Sequence, residues 1–444
     1  MTPPSTLPLL APGDPHWDAA RATFNPLADQ RPALLARPAT LEQLREAVLH
    51  AAATDLRIAP QGTGHGAASL PALDDVLLLR TDALDRVLVD PRAGTATFGG
   101  GARAGAVGAA AALSGGSVAS GFSPTVGLTG FLLGGGLGWF ARRDGFGAAS
   151  VVGARIVTAE GVLRRVDDAH DPELLRALRG GGGGFGVVGE LTVRLGTRRV
   201  VEAGALAWPV ERAGEVLAAW QALLPELDED VTSCLHLVAF PPAPAVPAPL
   251  RGRAMVLVES VDASGGLAHP ALLGPLRALD PELDTFRATA VGDLGDLHGD
   301  PRDPVPTRSR HALLDVLPDA LVDRFVEAAA VGRSSLVSVE LRHLGGALAR
   351  PDARLALEPV AAPLALFALG VAPDPPAVAS VDAQLDELVG VLAPVAHERR
   401  LPTFSEQPVA PERLFGPDRL AELRRTRRRL DPAERLVPSH PLGA

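Results

Sequence analysis

A histidine set between two glycines is the first residue in this chain with a chemistry to offer. His65 lies in Gln61-Gly62-Thr63-Gly64-His65-Gly66, and flanking glycines let the backbone hold an imidazole at a fixed place. A neutral imidazole nitrogen is a nucleophile able to bond covalently to a cofactor. A second set lies far along the chain, in Leu336-Val337-Ser338-Val339-Glu340-Leu341-Arg342-His343. Strand alternation there puts Val337, Val339 and Leu341 on one face and Ser338, Glu340 and Arg342 on the other. If the apolar face packs on helices, Glu340 is a candidate general base and Arg342 an anchor for an anionic or enol oxygen. A plain ion pair is the competing reading. His236, in the strand-like Cys234–Phe240, is a weaker candidate.

Absences narrow the chemistry. The 444 residues include no lysine, so all 42 basic side chains are arginine. That excludes Schiff-base catalysis and a phosphate-binding P-loop. Tyrosine is absent, so no phenol can serve as base. The single cysteine, Cys234, rules out disulfides, zinc–cysteine sites and most iron–sulfur clusters. The 11 histidines show no H-x-H or H-E-x-x-H spacing, so no metal site is expected. A net charge of −10 argues against a nucleic-acid partner. Met1 to Trp17 has no basic segment before an apolar core, which makes the cytoplasm the expected location.

The elements that must position these groups come next. Thr40 caps an expected helix running to about Ala53, followed by a strand near Arg57–Ala59 and then the His65 loop. Strands are expected at Val76–Leu79, Val87–Val89, Thr95–Phe98, Val151–Thr158 and Gly189–Leu195, with helices at Ala104–Leu113 and Pro172–Leu178. Beyond about Thr197 strands are expected at Cys234–Phe240, Ala254–Val261, Leu336–His343 and Leu364–Val371. Helices are expected at Glu211–Leu224, Ala312–Val331 and Val381–Ala396, and an Arg-rich helix at Pro411–Leu436. Strands separated by helices predict an antiparallel sheet with helical backing.

From Ala104 to Ala141 no residue is charged, yet 11 of the 38 positions are glycine. Glycine costs a helix roughly 1 kcal/mol each relative to alanine, so a membrane span is disfavoured. Backbone lying close against something large fits better. The run joins three glycine clusters: Gly62–Gly66; Gly127–Gly130 with Gly134–Gly138; and Gly180–Gly186. The last contains G-x-G-x-x-G, but a helix precedes it and a strand follows, the reverse of the dinucleotide fingerprint. Three clusters in one domain imply an extended cofactor whose pyrophosphate is cradled by backbone N–H groups.

The motifs also carry a resemblance. Gln61–Gly66 resembles the R-x-G-G-H-S loop of berberine-bridge-enzyme-like FAD-linked oxidases of the vanillyl-alcohol-oxidase superfamily. Gly121-Phe122-Ser123-Pro124-Thr125-Val126-Gly127 with Gly134–Gly136 is similar to their G-x-C-P-T-V-G…G-G-G element. Ala177-Leu178-Arg179-Gly180 through Phe185-Gly186-Val187-Val188 and the ending Phe415–Leu420 with Leu430-Asp431-Pro432 resemble two further family motifs. The resemblance implies an α+β fold. It has a bipartite PCMH-type FAD-binding domain (residues 1–197 and 400–444) and an antiparallel-sheet substrate domain backed by helices (198–399). It further implies FAD bonded through His65, with Gly62, Thr63, Gly64 and Gly66 lining the pyrophosphate and Gln61, in place of the family's arginine, among the cofactor-binding residues. Gly121, Ser123, Val126, Gly127, Gly130, Gly135, Gly138 and Val187 would contact the flavin or adenosine parts.

Two departures bear on chemistry. Ser123 stands where the family has its second anchoring cysteine, so a single covalent bond is expected. Pro402-Thr403-Phe404-Ser405 stands where many members carry a catalytic tyrosine. The expected activity is an FAD-dependent oxidase of secondary metabolism, with hydride passing to flavin N5 and dioxygen as electron acceptor. Leu235, Leu237, Leu257, Leu364 and Leu366 suggest a small to medium hydrophobic substrate. The alternatives are a redox-neutral cyclase on the same fold and a non-catalytic flavin-binding protein.

Overall fold

The computed structural model describes residues 7–443, so the first six residues of the expected leader-free start and of the 1–197 segment lie outside the described residues. Thr40 Oγ1 accepts the Gln43 N–H at 3.2 Å and starts the helix Leu41–Ala53. Leu44, Ala47, Val48 and Ala51 recur at helical spacing and are buried against a four-stranded sheet. In that sheet Leu34–Ala36, Val76–Arg80 and Arg57–Gln61 run parallel, and Leu9–Leu10 adds an antiparallel edge. The His65 loop leaves the end of Arg57–Gln61. The tail returns to the same strand: Ile58 N–H donates to Arg435 O at 2.7 Å and Val437 N–H to Ile58 O at 2.8 Å.

A five-stranded antiparallel sheet follows, ordered Val87–Asp90, Thr95–Gly99, Val187–Arg194, Val151–Val157, Leu163–Asp167. The uncharged stretch packs on it as Ala104–Leu113, Leu128–Leu133 and connecting loops. Among the described residues no helix is long and apolar enough to cross a membrane. The Arg-rich tail forms two helices, Pro411–Leu414 and Pro417–Leu430, rather than one to Leu436. The longer packs on Pro172–Leu178, with Arg176 paired to Glu422.

Residues after 199 build an antiparallel sheet of eight strands. Its order is Leu283–Asp284, Val200–Pro209, Ala254–Asp262, Val231–Ala239, Leu336–His343, Leu364–Val371, Thr307–Leu314, with Arg287–Ala290 also on Val200–Pro209. Helices Ala213–Leu223, Pro270–Arg277, Asp319–Ala329 and Pro375–Leu392 cover one face. The expected helix Ala312–Val331 is a strand up to Leu314 and helix only from Asp319. Arg308 and Arg310, which alternate along that strand, pair with Asp382 of the helix Pro375–Leu392.

This packing corrects the basis of the hydrophobic-substrate expectation. Leu235, Leu237, Leu364 and Leu366 are fully or almost fully buried against the helices with Trp220, Phe325 and Leu385. Leu257 is on the opposite face but is covered by Leu250 and Met255. Each such leucine contributes about 1.5–3 kcal/mol of burial to the core, and none reports on the substrate. Residues Leu344 to Ala362 pack into the core of the five-stranded sheet although they lie within 198–399. Arg142 ties the two parts together, donating to the main-chain oxygens of Leu344 (3.0 Å), Asp228 (2.9 Å), Leu227 (3.2 Å) and Val231.

Candidate functional site

The three glycine clusters meet. Gly127 N–H donates to Thr63 Oγ1 at 3.1 Å, joining the second cluster to the first. Gly182 N–H donates to Leu133 O at 2.8 Å, joining the third to the helix Leu128–Leu133. In the third cluster Gly182, Gly183 and Gly184 have φ of +80°, +95° and +83°, a backbone that only glycine adopts without strain. A Cβ at Gly182 or Gly183 would meet nothing within 4 Å, so these two face open space.

The glycines expected to line the cofactor divide into two kinds. A Cβ at Gly121, Gly135 or Gly138 would lie 2.9, 2.5 or 2.0 Å from Phe131, Leu357 or Ser120 O, so chain-on-chain packing accounts for them. At Gly66 and Gly130 nothing is within 4 Å, and at Gly62 and Gly127 the contacts are ordinary. Gly64 has φ +78° and turns the loop toward His65. The Val187 side chain is fully buried in the core beside Leu44, and Val126 O accepts the Ala104 N–H at 2.9 Å.

Unpartnered buried polar atoms collect on these segments: both amide atoms of Gln61, Thr129 Oγ1 and the Trp139 indole nitrogen. A buried polar atom without a partner costs about 1–3 kcal/mol, and a polar ligand removes that cost. A cavity of about 240 Å³ reaches Gly121, Ser123 and Pro124 from Gly105, Gly292 and Gly295. Open glycine backbone, orphaned donors and an imidazole together fit a flavin dinucleotide.

His65 is stacked on Phe24, ring centroids 3.7 Å apart and 16° from parallel. Its Nε2 lies 3.1 Å from Thr125 Oγ1, which is 3.0 Å from Ser123 Oγ. Burial, helped by the charge of Arg103, pushes the imidazole down to about 4, so it is neutral and nucleophilic near pH 7.

One residue before Ser123, Phe122 touches the large sheet. The Arg342 guanidinium carbon lies 3.7 Å from the Phe122 ring centroid and 4.8 Å from that of Phe404. Val339 and Leu341 face the helices, leaving Ser338, Glu340 and Arg342 on the opposite face. Arg342 donates through Nε to Glu340 Oε2 at 2.7 Å and pairs through Nη2 with the same oxygen. Glu340 Oε1 lies 3.1 Å from His298 Nε2, and His298 Nδ1 lies 2.5 Å from Glu259 Oε2. Asp300 Oδ1 is 4.0 Å from His298 Nε2 and is partly exposed. His236 stacks on His298 at 4.6 Å, and its Nε2 is 2.9 Å from Ser338 Oγ.

Charges alternate along this chain: Glu259, His298, Glu340, Arg342. Burial opposes the charge on His298, but Glu259 and Glu340 on either side raise it well above the usual imidazole value. Burial also opposes ionisation of Glu259, which His298 and the nearby His236 ring, 3.9 Å away, nevertheless hold at about 2. Glu340 is buried too, and Arg342 and His298 together hold it well below the usual carboxylate range. A carboxylate so held is a weak base, because a proton arriving there must displace two cations. The geometry suits Glu340 better as the counter-charge that aims Arg342. His236, His298 and Glu340 also bring ligand atoms within 4.8 Å of one another, but the Arg342 charge on Glu340 disfavours a cation there.

Sequence reasoning did not find Phe24, His298 or Asp300, which lie in irregular segments. Glu259 did have a signal, a lone charge within the apolar Met255–Val261, since such a charge needs a buried partner.

Residues 32–167 match the family described as FAD binding domain. Over 185 residues the chain is 34% identical to xylooligosaccharide oxidase of Thermothelomyces thermophilus, covering 41% of this chain and 37% of the relative. Over 222 residues it is 30% identical to (R)-6-hydroxynicotine oxidase of Paenarthrobacter nicotinovorans, covering 50% and 48%. The chain thus spans less than half the length of these curated relatives. In three dimensions it matches 6-hydroxy-D-nicotine oxidase from Arthrobacter nicotinovorans with a TM-score of 0.82, 25% identity and coverage of 98% and 97%. The fold is shared with Physcomitrella patens BBE-like 1 (TM-score 0.85, 18% identity, 99% and 98% covered).

Proposed function

We propose, for a chain whose residues 32–167 are an FAD-binding domain and whose whole fold is that of FAD-linked oxidases, that it is an FAD-dependent oxidase of a small organic molecule. In this reading residues 1–197 and 400–444 hold FAD, and 198–399 close over the substrate. Gln61–Gly66, Ser123–Gly130 and Gly180–Gly186 hold the dinucleotide, with one covalent bond at His65. When bound, FAD supplies a two-electron acceptor that dioxygen reoxidises.

The observation that carries the reading is the contact of Phe122 with Arg342, which sets the charged sheet face against the segment holding Ser123. Arg342 binds an oxygen of the substrate, and Glu340 fixes the guanidinium. A substrate offering a carboxylate, enolate or carbonyl oxygen fits this face better than a purely apolar one. A specific observation favours a second reading, a redox-neutral cyclase: the charged cluster contains no strong base. Anaerobic mixing with candidate substrates separates the two. Bleaching of the flavin absorbance supports the oxidase, and product formation without bleaching supports the cyclase.

A further inference from the structure

We infer that Thr125, with Ser123 behind it, is the positioning residue that prepares His65 for covalent attachment to the flavin; the inference rests on the covalent reading of His65. Two contacts define the imidazole and a third backs them. Phe24 fixes its plane, Thr125 Oγ1 sits 3.1 Å from Nε2, and Ser123 Oγ sits 3.0 Å from Thr125 Oγ1. The side-chain hydrogen bond of the ring is made through Nε2, and the Thr125 main chain also bears on the imidazole.

A neutral imidazole has one N–H, and its place decides which nitrogen has a lone pair. With Nε2–H donating to Thr125 Oγ1, the Thr125 hydroxyl donates onward to Ser123 Oγ, and Nδ1 keeps its lone pair. In this arrangement serine at 123 has a task of its own: its oxygen takes the hydrogen of Thr125, leaving Thr125 Oγ1 to accept from His65. Burial and Arg103 keep the ring neutral, which the task requires.

The step balances as follows. His65 Nδ1 forms a C–N bond to the 8α-carbon of the flavin, and one C–H bond of that methyl group breaks. Its proton leaves, and the Nε2 proton leaves through the Thr125 hydroxyl. The electron pair of the C–H bond passes to the flavin and then to dioxygen, which departs with the two protons as hydrogen peroxide.

The test needs no substrate. Protein from flavin-depleted cells is given FAD in air, and acid-stable flavin is followed over time by fluorescence of the denatured band and by intact mass. Total bound FAD is measured before denaturation. Thr125→Val is expected to bind FAD yet to form the bond about tenfold more slowly, the effect of one lost hydrogen bond. Thr125→Ser is expected to restore the rate. An unchanged rate in Thr125→Val, with the unsubstituted protein forming the bond, overturns the inference. No acid-stable flavin in the unsubstituted protein overturns the covalent reading and this inference with it. If Thr125→Val binds no FAD, Ser123→Ala decides: slower bonding supports the relay, and an unchanged rate overturns it.

Discussion

Replacing His298 by glutamine tests the charged cluster most severely. His298 lies 2.5 Å from Glu259 and 3.1 Å from Glu340; Glu340 keeps Arg342 beside it, whereas Glu259 keeps the more distant His236 ring, Nδ1 3.9 Å from its Oε1. The variant therefore leaves Glu259, which is 1% exposed, without its close partner. Breaking a buried pair from one side costs about 3–5 kcal/mol, most of it the price of the charge left behind. The double variant Glu259→Gln/His298→Gln removes that charge and should regain at least about half of the loss. The sign of the pH dependence follows. In His298→Gln the folded-state value of Glu259 rises above its unfolded value, so stability returns as pH falls through the raised value. In the unsubstituted protein Glu259 behaves oppositely: held at about 2, it contributes stability above its unfolded value that is lost as pH falls. His298 is raised, so its contribution is complete below about 6.5, the unfolded value, and is lost as pH climbs through the folded one. Urea unfolding followed by tryptophan fluorescence reads both, since Trp208 and Trp220 are fully buried beside the large sheet. A His298→Gln loss below about 1 kcal/mol that is flat with pH would refute the alternating-charge account.

Arg342→Met should raise KM for an oxygen-bearing substrate about tenfold to a hundredfold, the worth of a charged hydrogen bond; steady-state kinetics against Arg342→Lys check it, and an unchanged KM removes the anchor. Ser123→Cys should add a second, acid-stable link to the flavin, seen as one flavin joining two peptides by mass spectrometry. Acid should destabilise the fold through His311 and His343, which burial holds neutral at about 3. His311 Nδ1 faces Leu366 O and its Nε2 accepts the Leu401 N–H, so a second proton has no acceptor. Both values are depressed, so this stability is present above about 6.5 and falls by about 1.4 kcal/mol per pH unit per histidine as pH drops. His311→Gln should flatten that limb in denaturation curves measured between about pH 4 and 7.

Much of the fold can be read from residue pattern because its signals are local. The Thr40 cap, the helix Pro172–Leu178 and the strand Leu336–His343 follow from capping and alternation, and the glycine clusters stand out because nothing else in a core needs φ above zero three times running. Thr307–Leu314 is hidden because Arg308 and Arg310 give one of its faces a helix-like polarity that only Asp382 and Asp386 explain. The expected base shows the same limit. Alternation puts Glu340 and Arg342 on one face, but the basicity of Glu340 is set by Arg342 together with His298, which lies 42 positions away in sequence and is carried by a loop. Ser123 reads from sequence as a lost anchor, and only the distance to Thr125 gives it a use.

The chemistry proposed for this chain depends on FAD being tethered at His65 and nowhere else. Peptide mapping of the purified protein after acid denaturation tests it in one step. The expected result is an FAD adduct on the peptide containing His65 and an unmodified peptide containing Ser123. A protein that takes up no flavin, or an adduct on any other residue, would contradict it.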